Sequence, residues 1–210
     1  SPLLRLRGSW TVVDPAIARK ARKRLVRTVR PVEAVAAALT GTVQVAEQQE
    51  QVVVGASLLK VRDRLTNAAT REPVAPPAAL DATLRDYQLH GLTWLTELTE
   101  LGLGACLADD MGLGKTVTLI ALHLHRREAG RTGPTLVVCP ASLLGNWEAE
   151  VRRFAPGTPV GRFHGSARDL SGAGDGFVLT TYGTMRRSAE TLGAVGWDLV
   201  VADEAQHVKN

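Results

Sequence analysis

The sequence predicts an α/β protein with a mostly parallel central sheet, preceded by a small, mainly helical segment. Two observations support this prediction. From residue 83 onward, short apolar runs alternate with patterns of helical period, which places helices on both faces of a parallel sheet. A stretch with three prolines, residues 72–80, separates this part from the first 71 residues, and such a stretch continues neither a helix nor a central strand.

The composition limits the class of protein. With 210 residues and 45% apolar content, the chain is large enough for one core and a smaller attached unit. No apolar run reaches the roughly 18 residues of a membrane span, and no secretory signal pattern is present. Cys106 and Cys139 lie in apolar runs, so we expect buried, reduced thiols. We therefore expect a cytosolic protein, whose net charge of +4 is compatible with polyanionic partners.

The first 71 residues carry two helix signals. Asp14-Pro15 resembles an N-cap with proline at the first helical position, and it opens a basic helix that extends to Arg30. This helix is interpreted either as a clamp for DNA phosphates or as a solvated charged face. A second helix is predicted from Pro31 to Gly41, whereas residues 42–71 have no clear period. Residues 72–82 are interpreted as a linker.

Residues 83–210 form the predicted α/β lobe. A helix is expected first, with its apolar stripe carried by Leu84, Tyr87, Gly91, Trp94, Leu98 and Leu101, which follow helical spacing. Leu92 and Leu95 widen this stripe. Strands are then predicted at 105–108, 135–139, 177–181 and 199–203, and helices at 115–127, 143–154 and 185–192. Trp147 and Trp197 are expected to be packing aromatics.

A glycine-rich segment lies where the first predicted strand passes into a helix. Two glycines allow the backbone to turn its N–H groups toward phosphate oxygens, and the helix N-terminus adds positive potential. Lys115 is predicted to reach the β- and γ-phosphates, and the Thr116 hydroxyl to bind Mg²⁺. The general sequence pattern of phosphate-binding loops has a glycine at the position where this chain has Asp109. The predicted ATP-binding residues of the loop are Asp110, Met111, Gly112, Leu113, Gly114, Lys115 and Thr116.

Two carboxylates, Asp203 and Glu204, follow the last predicted strand. In a parallel sheet they fall at the edge where ligands collect. Asp203 is predicted to hold Mg²⁺, and Glu204 to orient and polarise the attacking water. Lys115, Asp203 and Glu204 are therefore the predicted catalytic residues.

Several segments together resemble the Swi/Snf-type ATPases of helicase superfamily two. They are residues 84–95 (LRDYQLHGLTWL), 108–116 (ADDMGLGKT), 138–147 (VCPASLLGNW), 179–182 (LTTY) and 203–206 (DEAQ). Asp109 belongs to that family's version of the loop. Residues 1–71 are more loosely similar to the helicase-associated region of bacterial members.

The resemblance implies a RecA-like three-layer fold and a set of site residues. Gln88 would recognise adenine, while Pro140, Ala141, Ser142 and Thr181 would contact the DNA backbone without reading its sequence. Gln206 and His207 would couple the nucleotide site to DNA. The implied partners are double-stranded DNA, a second RecA-like lobe in the same full-length protein, and DNA-bound proteins.

The implied function is that of a DNA-dependent ATPase that translocates on double-stranded DNA and remodels protein–DNA complexes. We expect the chain to be a piece of a longer protein that is nearly inactive by itself, because the second lobe supplies transition-state arginines. Two alternatives stay open. One is a phosphate-loop NTPase or kinase acting on a small molecule, and the other is a non-catalytic interaction module.

Overall fold

The computed structural model describes residues 3–6, 9–12, 31–45, 48–51, 53, 55, 59, 62–63, 72–108, 112–166, 168, 170 and 174–207. The chain divides into two compact units, residues 1–71 and 72–210. The predicted basic helix over residues 14–30 lies outside the described residues. Within the described part, no helix is both long and apolar enough to cross a bilayer.

The first unit contains two antiparallel hairpins and a helix. Strands β1 (Leu3–Leu6) and β2 (Ser9–Val12) form one hairpin, and β3 (Thr42–Val45) and β4 (Gln48–Gln51) form the other. The predicted helix after Pro31 is confirmed as α1 (Pro31–Thr40), and Gly41 follows it in the left-handed region. The hairpins were not predicted from the sequence.

The second unit is built on a four-stranded parallel sheet. Its elements, in chain order, are α2 (Asp86–Glu100), α3 (Lys115–Glu128), β5 (Thr135–Cys139), α4 (Leu144–Phe154), β6 (Val160–Arg162), β7 (Phe177–Thr181), α5 (Tyr182–Arg187), α6 (Ala189–Gly193) and β8 (Leu199–Ala202). The spatial order is β6-β7-β5-β8, with parallel pairing throughout. The predicted parallel sheet is therefore confirmed.

Alternation along the strands places helices on both faces of the sheet. Val137 and Cys139 pack with residues of α3 and α4 in one buried cluster. Leu136 and Val138 point the other way, into a second cluster with Leu192 of α6. Because side chains alternate along a strand, the apolar run of β5 supplies both cores, which is typical of a buried parallel strand.

Four predictions for this unit are wrong in detail. Residues 105–108 form no strand, and Cys106 is exposed, although Cys139 is buried as expected. Tyr87 of the predicted stripe of α2 is exposed, although Leu98 and the flanking Leu92 and Leu95 are buried as expected. The predicted helix over 185–192 is divided at Ser188 into α5 and α6.

The proline-rich segment is attached to the second unit by hydrogen bonds. The Val74 amide donates to Oγ1 of Thr93 at 3.0 Å, and the Ala78 amide donates to the Glu128 carboxylate at 2.7 Å. The Asp81 amide donates to the Phe154 carbonyl at 2.8 Å. The segment interpreted as a linker is therefore packed against α2, α3 and the end of α4.

Candidate nucleotide and DNA site

The glycine loop leads into α3 as the sequence predicts. Gly114 precedes the helix with φ of 76°, and Gly112 has φ of 86°. Both values lie in the left-handed region, where a Cβ atom is unfavourable. Lys115 and Thr116 are the first residues of α3 and are half-buried. Asp110 and Met111, which are also predicted ATP-binding residues, lie outside the described residues.

Asp203 directly follows β8 and is held by four hydrogen bonds. Its amide donates to the Val138 carbonyl at 2.9 Å, and its carbonyl accepts from the Tyr182 hydroxyl at 2.7 Å. Its Oδ2 accepts from the Trp147 indole at 2.8 Å, and its Oδ1 accepts from the Glu204 amide at 3.0 Å. The carboxylate therefore has a fixed orientation at the end of the strand.

Glu204 adopts a left-handed backbone conformation, with φ of 52°. It is a non-glycine residue, and such conformations cost about 1–2 kcal/mol for L-residues. In this conformation the Glu204 backbone amide donates its hydrogen bond to Asp203 Oδ1. The Glu204 carboxylate accepts a hydrogen bond from the Gln206 side chain. Backbone strain of this kind is often found at functional sites.

The structure brings the three predicted catalytic residues to one cavity. Lys115, Asp203 and Glu204 all line a space of about 930 Å³. Residues 102–108, β8 and side chains of α2 and α3 also line it, and the combination of apolar walls with a few converging polar groups is common in ligand sites. Thr116, the other predicted metal ligand, is not among the lining residues.

The Gln88 side chain contacts the glycine loop. Its Nε2 donates to the Leu113 carbonyl at 3.0 Å, and its Oε1 accepts from the Arg85 amide at 2.9 Å. Tyr87 donates its hydroxyl to the same Leu113 carbonyl at 3.1 Å. Gln88 is buried, so its amide joins the start of α2 to the loop, and its contact with adenine stays a prediction.

The predicted DNA-contacting residues lie at the same edge of the sheet as Asp203, because β5, β7 and β8 are parallel. Pro140 follows β5, and Ala141 and Ser142 are exposed in a single 3-10 turn before α4. Thr181 ends β7 and is buried, and its hydroxyl accepts the Thr184 amide at 3.3 Å as the cap of α5. Ala141 and Ser142 are therefore accessible to solvent, whereas the Thr181 hydroxyl is engaged inside the lobe.

Trp147 and Tyr182 hold Asp203, and the sequence analysis missed this role. The prediction that Trp147 and Trp197 pack in the interior is confirmed, because both contact buried clusters. The polar partner of the Trp147 indole could not be read from helical spacing. Burial raises the pKa of the Tyr182 hydroxyl, with a further contribution from the nearby Asp203 carboxylate, so the phenol stays protonated as a donor at neutral pH.

A buried ion pair crosses one side of the cavity. Arg126 of α3 donates from Nε and Nη2 to both oxygens of Asp198, at 2.7 and 2.8 Å. This hydrogen-bonded guanidinium lowers the pKa of the Asp198 carboxyl. The pair joins α3 to the start of β8, and thereby fixes the strand that carries Asp203.

The residues of the site fit a magnesium ion that is bound together with a nucleotide. Each Asp203 oxygen accepts one hydrogen bond, and a carboxylate has about four acceptor positions, so lone pairs remain for a metal or its water. Mg²⁺ commonly uses one or two carboxylates with substrate phosphates. Among the described residues no group of three or more His, Cys, Asp or Glu is arranged to hold a metal by itself.

The second unit has the features of a phosphate-loop ATPase lobe. They are a parallel sheet with helices on both faces, a glycine loop that leads into a helix, and an acidic pair after β8. The model of the SNF2-related domain matches residues 87–210. The chain therefore belongs to the SNF2-related family. The resemblance to Swi/Snf-type ATPases is thus confirmed.

Individual proteins agree with this assignment. The chain is 46% identical over 138 residues to the putative ATP-dependent helicase/translocase YwqA of Bacillus subtilis, covering 61% of this chain and 15% of that protein. It is 39% identical over 163 residues to the ISWI chromatin-remodeling complex ATPase CHR11 of Arabidopsis thaliana, covering 73% of this chain and 15% of that protein. The chain thus spans about a seventh of these relatives.

A solved structure shows the same fold. The Sulfolobus solfataricus SWI2/SNF2 ATPase core in complex with dsDNA superposes with a TM-score of 0.61 at 40% identity, over 67% of this chain and 30% of that chain. The RecA-like α/β fold that the resemblance implies is therefore confirmed.

Proposed function

We propose that this chain supplies the ATP-binding lobe of a DNA-dependent ATPase that translocates on double-stranded DNA and remodels protein–DNA complexes. The observation that carries the proposal is the meeting of Lys115, Asp203 and Glu204 at one cavity. Membership of the SNF2-related family supports DNA rather than a small molecule as the stimulating partner. A second RecA-like lobe of the full-length protein would complete the site, and a cytoplasmic, nucleoid-associated location follows from the proposed DNA partner.

Each residue has a distinct proposed role. Lys115 binds the β- and γ-phosphates, and the backbone amides of the loop from Asp110 to Gly114 surround the phosphate chain. Thr116 and Asp203 hold Mg²⁺, which when bound neutralises developing charge on the phosphate oxygens. Glu204 orients the attacking water, and Gln88 contacts adenine.

DNA binding is proposed for the edge of the sheet beyond β5 and β7. The exposed turn with Ala141 and Ser142 offers a hydroxyl and backbone amides to phosphate oxygens, together with Pro140 and Thr181 at the strand ends. Contacts of this type fix the position of a protein on the duplex without reading sequence. DNA-bound proteins would then be displaced by translocation.

Measurement of ATP hydrolysis by the full-length protein, with and without duplex DNA, tests this function. We expect strong stimulation by DNA in the wild type. Lys115→Ala should lose nucleotide binding, whereas Glu204→Gln should bind ATP and fail to hydrolyse it. DNA-independent phosphate transfer to a metabolite would favour the small-molecule kinase, and silence of the wild type would favour the interaction module.

A further inference from the structure

The buried Trp147 indole is joined to the proposed metal ligand. Trp147 is 1% exposed and packs in the cluster between the sheet, α3 and α4. A buried indole N–H usually finds an acceptor, and here the acceptor is Oδ2 of Asp203 at 2.8 Å. A packing role alone does not require this choice, since backbone carbonyls serve equally well, as the Leu192 carbonyl does for Trp197.

Tyr182, which follows β7 on the other side of β5 from β8, holds the same residue. Its hydroxyl donates to the Asp203 carbonyl at 2.7 Å. Asp203 is thus fixed at its side chain by a residue from the connection after β5 and at its backbone by a residue from the connection after β7.

Both anchors adjoin segments proposed to contact DNA. Trp147 lies on α4, close behind the exposed turn of Ala141 and Ser142. Tyr182 is the first residue of α5, directly after Thr181. Protein interiors are close-packed and transmit small displacements, so a shift of either segment on DNA reaches Asp203 through a rigid aromatic ring.

We propose that Trp147 and Tyr182 are positioning residues that connect the DNA-contacting segments to the orientation of Asp203. This inference rests on the proposed function. DNA bound at the two segments sets the indole and phenol, and these set the carboxylate in the geometry that holds Mg²⁺ against the nucleotide. Neither residue touches the nucleotide in this scheme.

Single aromatic substitutions in the full-length protein test the connection. Trp147→Phe keeps an apolar ring in the core and removes only the donor and part of the volume. Hydrogen-bond partners of metal ligands typically contribute about 10- to 100-fold to metal affinity or activity. We therefore expect an increase of about tenfold in the Mg²⁺ concentration for half-maximal hydrolysis, and a loss of stimulation by DNA. The ATP KM at saturating Mg²⁺ should stay near the wild-type value.

Trp197→Phe is the matched control. It removes the same atoms from a partly buried tryptophan whose indole binds the Leu192 carbonyl at 2.7 Å and not Asp203. It should retain the Mg²⁺ dependence and the DNA stimulation of the wild type. Tyr182→Phe should reduce DNA stimulation like Trp147→Phe, with a smaller effect on Mg²⁺ because the phenol contacts only the backbone of Asp203.

A spectroscopic measurement without metal or nucleotide gives an independent readout. The protein is labelled with 5-fluorotryptophan, and the Trp147 signal is assigned by its loss in Trp147→Phe. Asp203→Asn should shift the Trp147 resonance, and addition of duplex DNA to the wild type should shift it as well. The Trp197 resonance should be unchanged in both experiments.

The outcomes separate the inference from the proposed function. If the wild type hydrolyses ATP with DNA stimulation but Trp147→Phe behaves like Trp197→Phe, the connection is refuted and the function stands. A Trp147 resonance that is insensitive to DNA also refutes the connection. If the wild type shows no DNA-stimulated hydrolysis, the proposed function fails, and the inference that depends on it fails too.

Discussion

His123 is a buried histidine that is neutral in the folded lobe. It is 1% exposed, its Nδ1 lies 2.8 Å from Oγ1 of Thr135, and its ring centroid lies 4.3 Å from that of Phe177. Its Nε2 has no hydrogen-bond partner among the described residues. Burial, with a further contribution from Arg127, lowers its pKa to about 4. Protonation of the folded state is therefore unfavourable.

This histidine should make the lobe less stable in acid. The pKa of His123 is lower in the folded state than in the unfolded state. The unfolded chain therefore gains a proton first, and the free energy of unfolding decreases as the pH falls from 6.5 toward about 4. At 1.36 kcal/mol per unit, the loss is about 3 kcal/mol. Urea unfolding between pH 7 and about 4 measures it. His123→Gln should flatten the dependence relative to His125→Gln, and equal slopes for the two variants would contradict the prediction.

The Arg126–Asp198 pair is predicted to be a second sensitive position. Both side chains are about nine-tenths buried, and removal of one partner of such a pair costs about 3–5 kcal/mol because a charge stays buried without compensation. Asp198→Asn should therefore lower the free energy of unfolding by about that amount, measured by urea denaturation.

An exposed ion pair provides the comparison for Asp198. Arg127 and Asp175 lie 3.6 Å apart with side chains 39% and 46% exposed. Exposed pairs contribute at most about 1 kcal/mol, and asparagine can still accept the Gly133 amide that Asp175 accepts. Asp175→Asn should therefore have a small effect, and a similar loss in both variants would be evidence against the buried pair.

At the scale of elements, the junction between the glycine loop and α3 combines backbone conformation with a close contact. Gly112 and Gly114 both have left-handed φ values. A Cβ at Gly112 would meet no atom of the described residues within 4 Å, whereas one at Gly114 would collide with the Gln88 amide. The two glycines therefore differ in what surrounds them and not in the sign of φ.

Alanine substitutions should separate these two effects. Gly112→Ala should lose about 1–2 kcal/mol from the left-handed conformation. Gly114→Ala should lower the free energy of unfolding further, because the Gln88 side chain must move and give up its hydrogen bond to the Leu113 carbonyl. Thermal or urea unfolding of both variants measures the difference. Gln88→Ala should reduce the extra loss of unfolding free energy in Gly114→Ala, but should not change the loss in Gly112→Ala. If the losses of Gly114→Ala and Gln88→Ala simply add in the double variant, the collision is excluded.

The sequence predicts some strands of the second unit well and others not at all. Strands Thr135–Cys139 and Phe177–Thr181 have the predicted bounds, because short, continuous apolar runs are typical of strands that are buried on both faces of a parallel sheet. Strand β6 was missed, since three residues with a central glycine carry no periodic signal. Residues 105–108 were predicted as a strand from apolar character alone, which does not supply a pairing partner.

For the candidate site, the sequence predicts the reactive side chains but not the contacts that orient them. The chemistry of Lys115, Asp203 and Glu204 was predicted from residue type at strand and helix ends, and all three line one cavity. The contacts that orient Asp203 come from Trp147 and Tyr182, which are 56 and 21 residues away in sequence. Only the register of β5, β7 and β8 brings them together, so a local pattern could not predict them.

At the scale of the whole molecule, the described residues of the second unit form one parallel sheet that ends at β8. The cavity beside β8 offers a lysine and two carboxylates to a triphosphate. In phosphoryl transfer the remaining charge is commonly stabilised by an arginine, which is worth about 10³ to 10⁵ in rate. We expect that arginine to come from the second lobe of the full-length protein.

The 210-residue chain by itself should therefore bind ATP·Mg weakly and turn it over at least about 10³-fold more slowly than the full-length protein. Phosphate release at saturating ATP, with and without excess duplex DNA, measures both proteins side by side. Glu204→Gln of the full-length protein sets the background, since it lacks the group that orients water. Robust DNA-stimulated phosphate release from the chain alone would show that one lobe completes the catalytic site, and the need for an arginine from a second lobe would then be refuted.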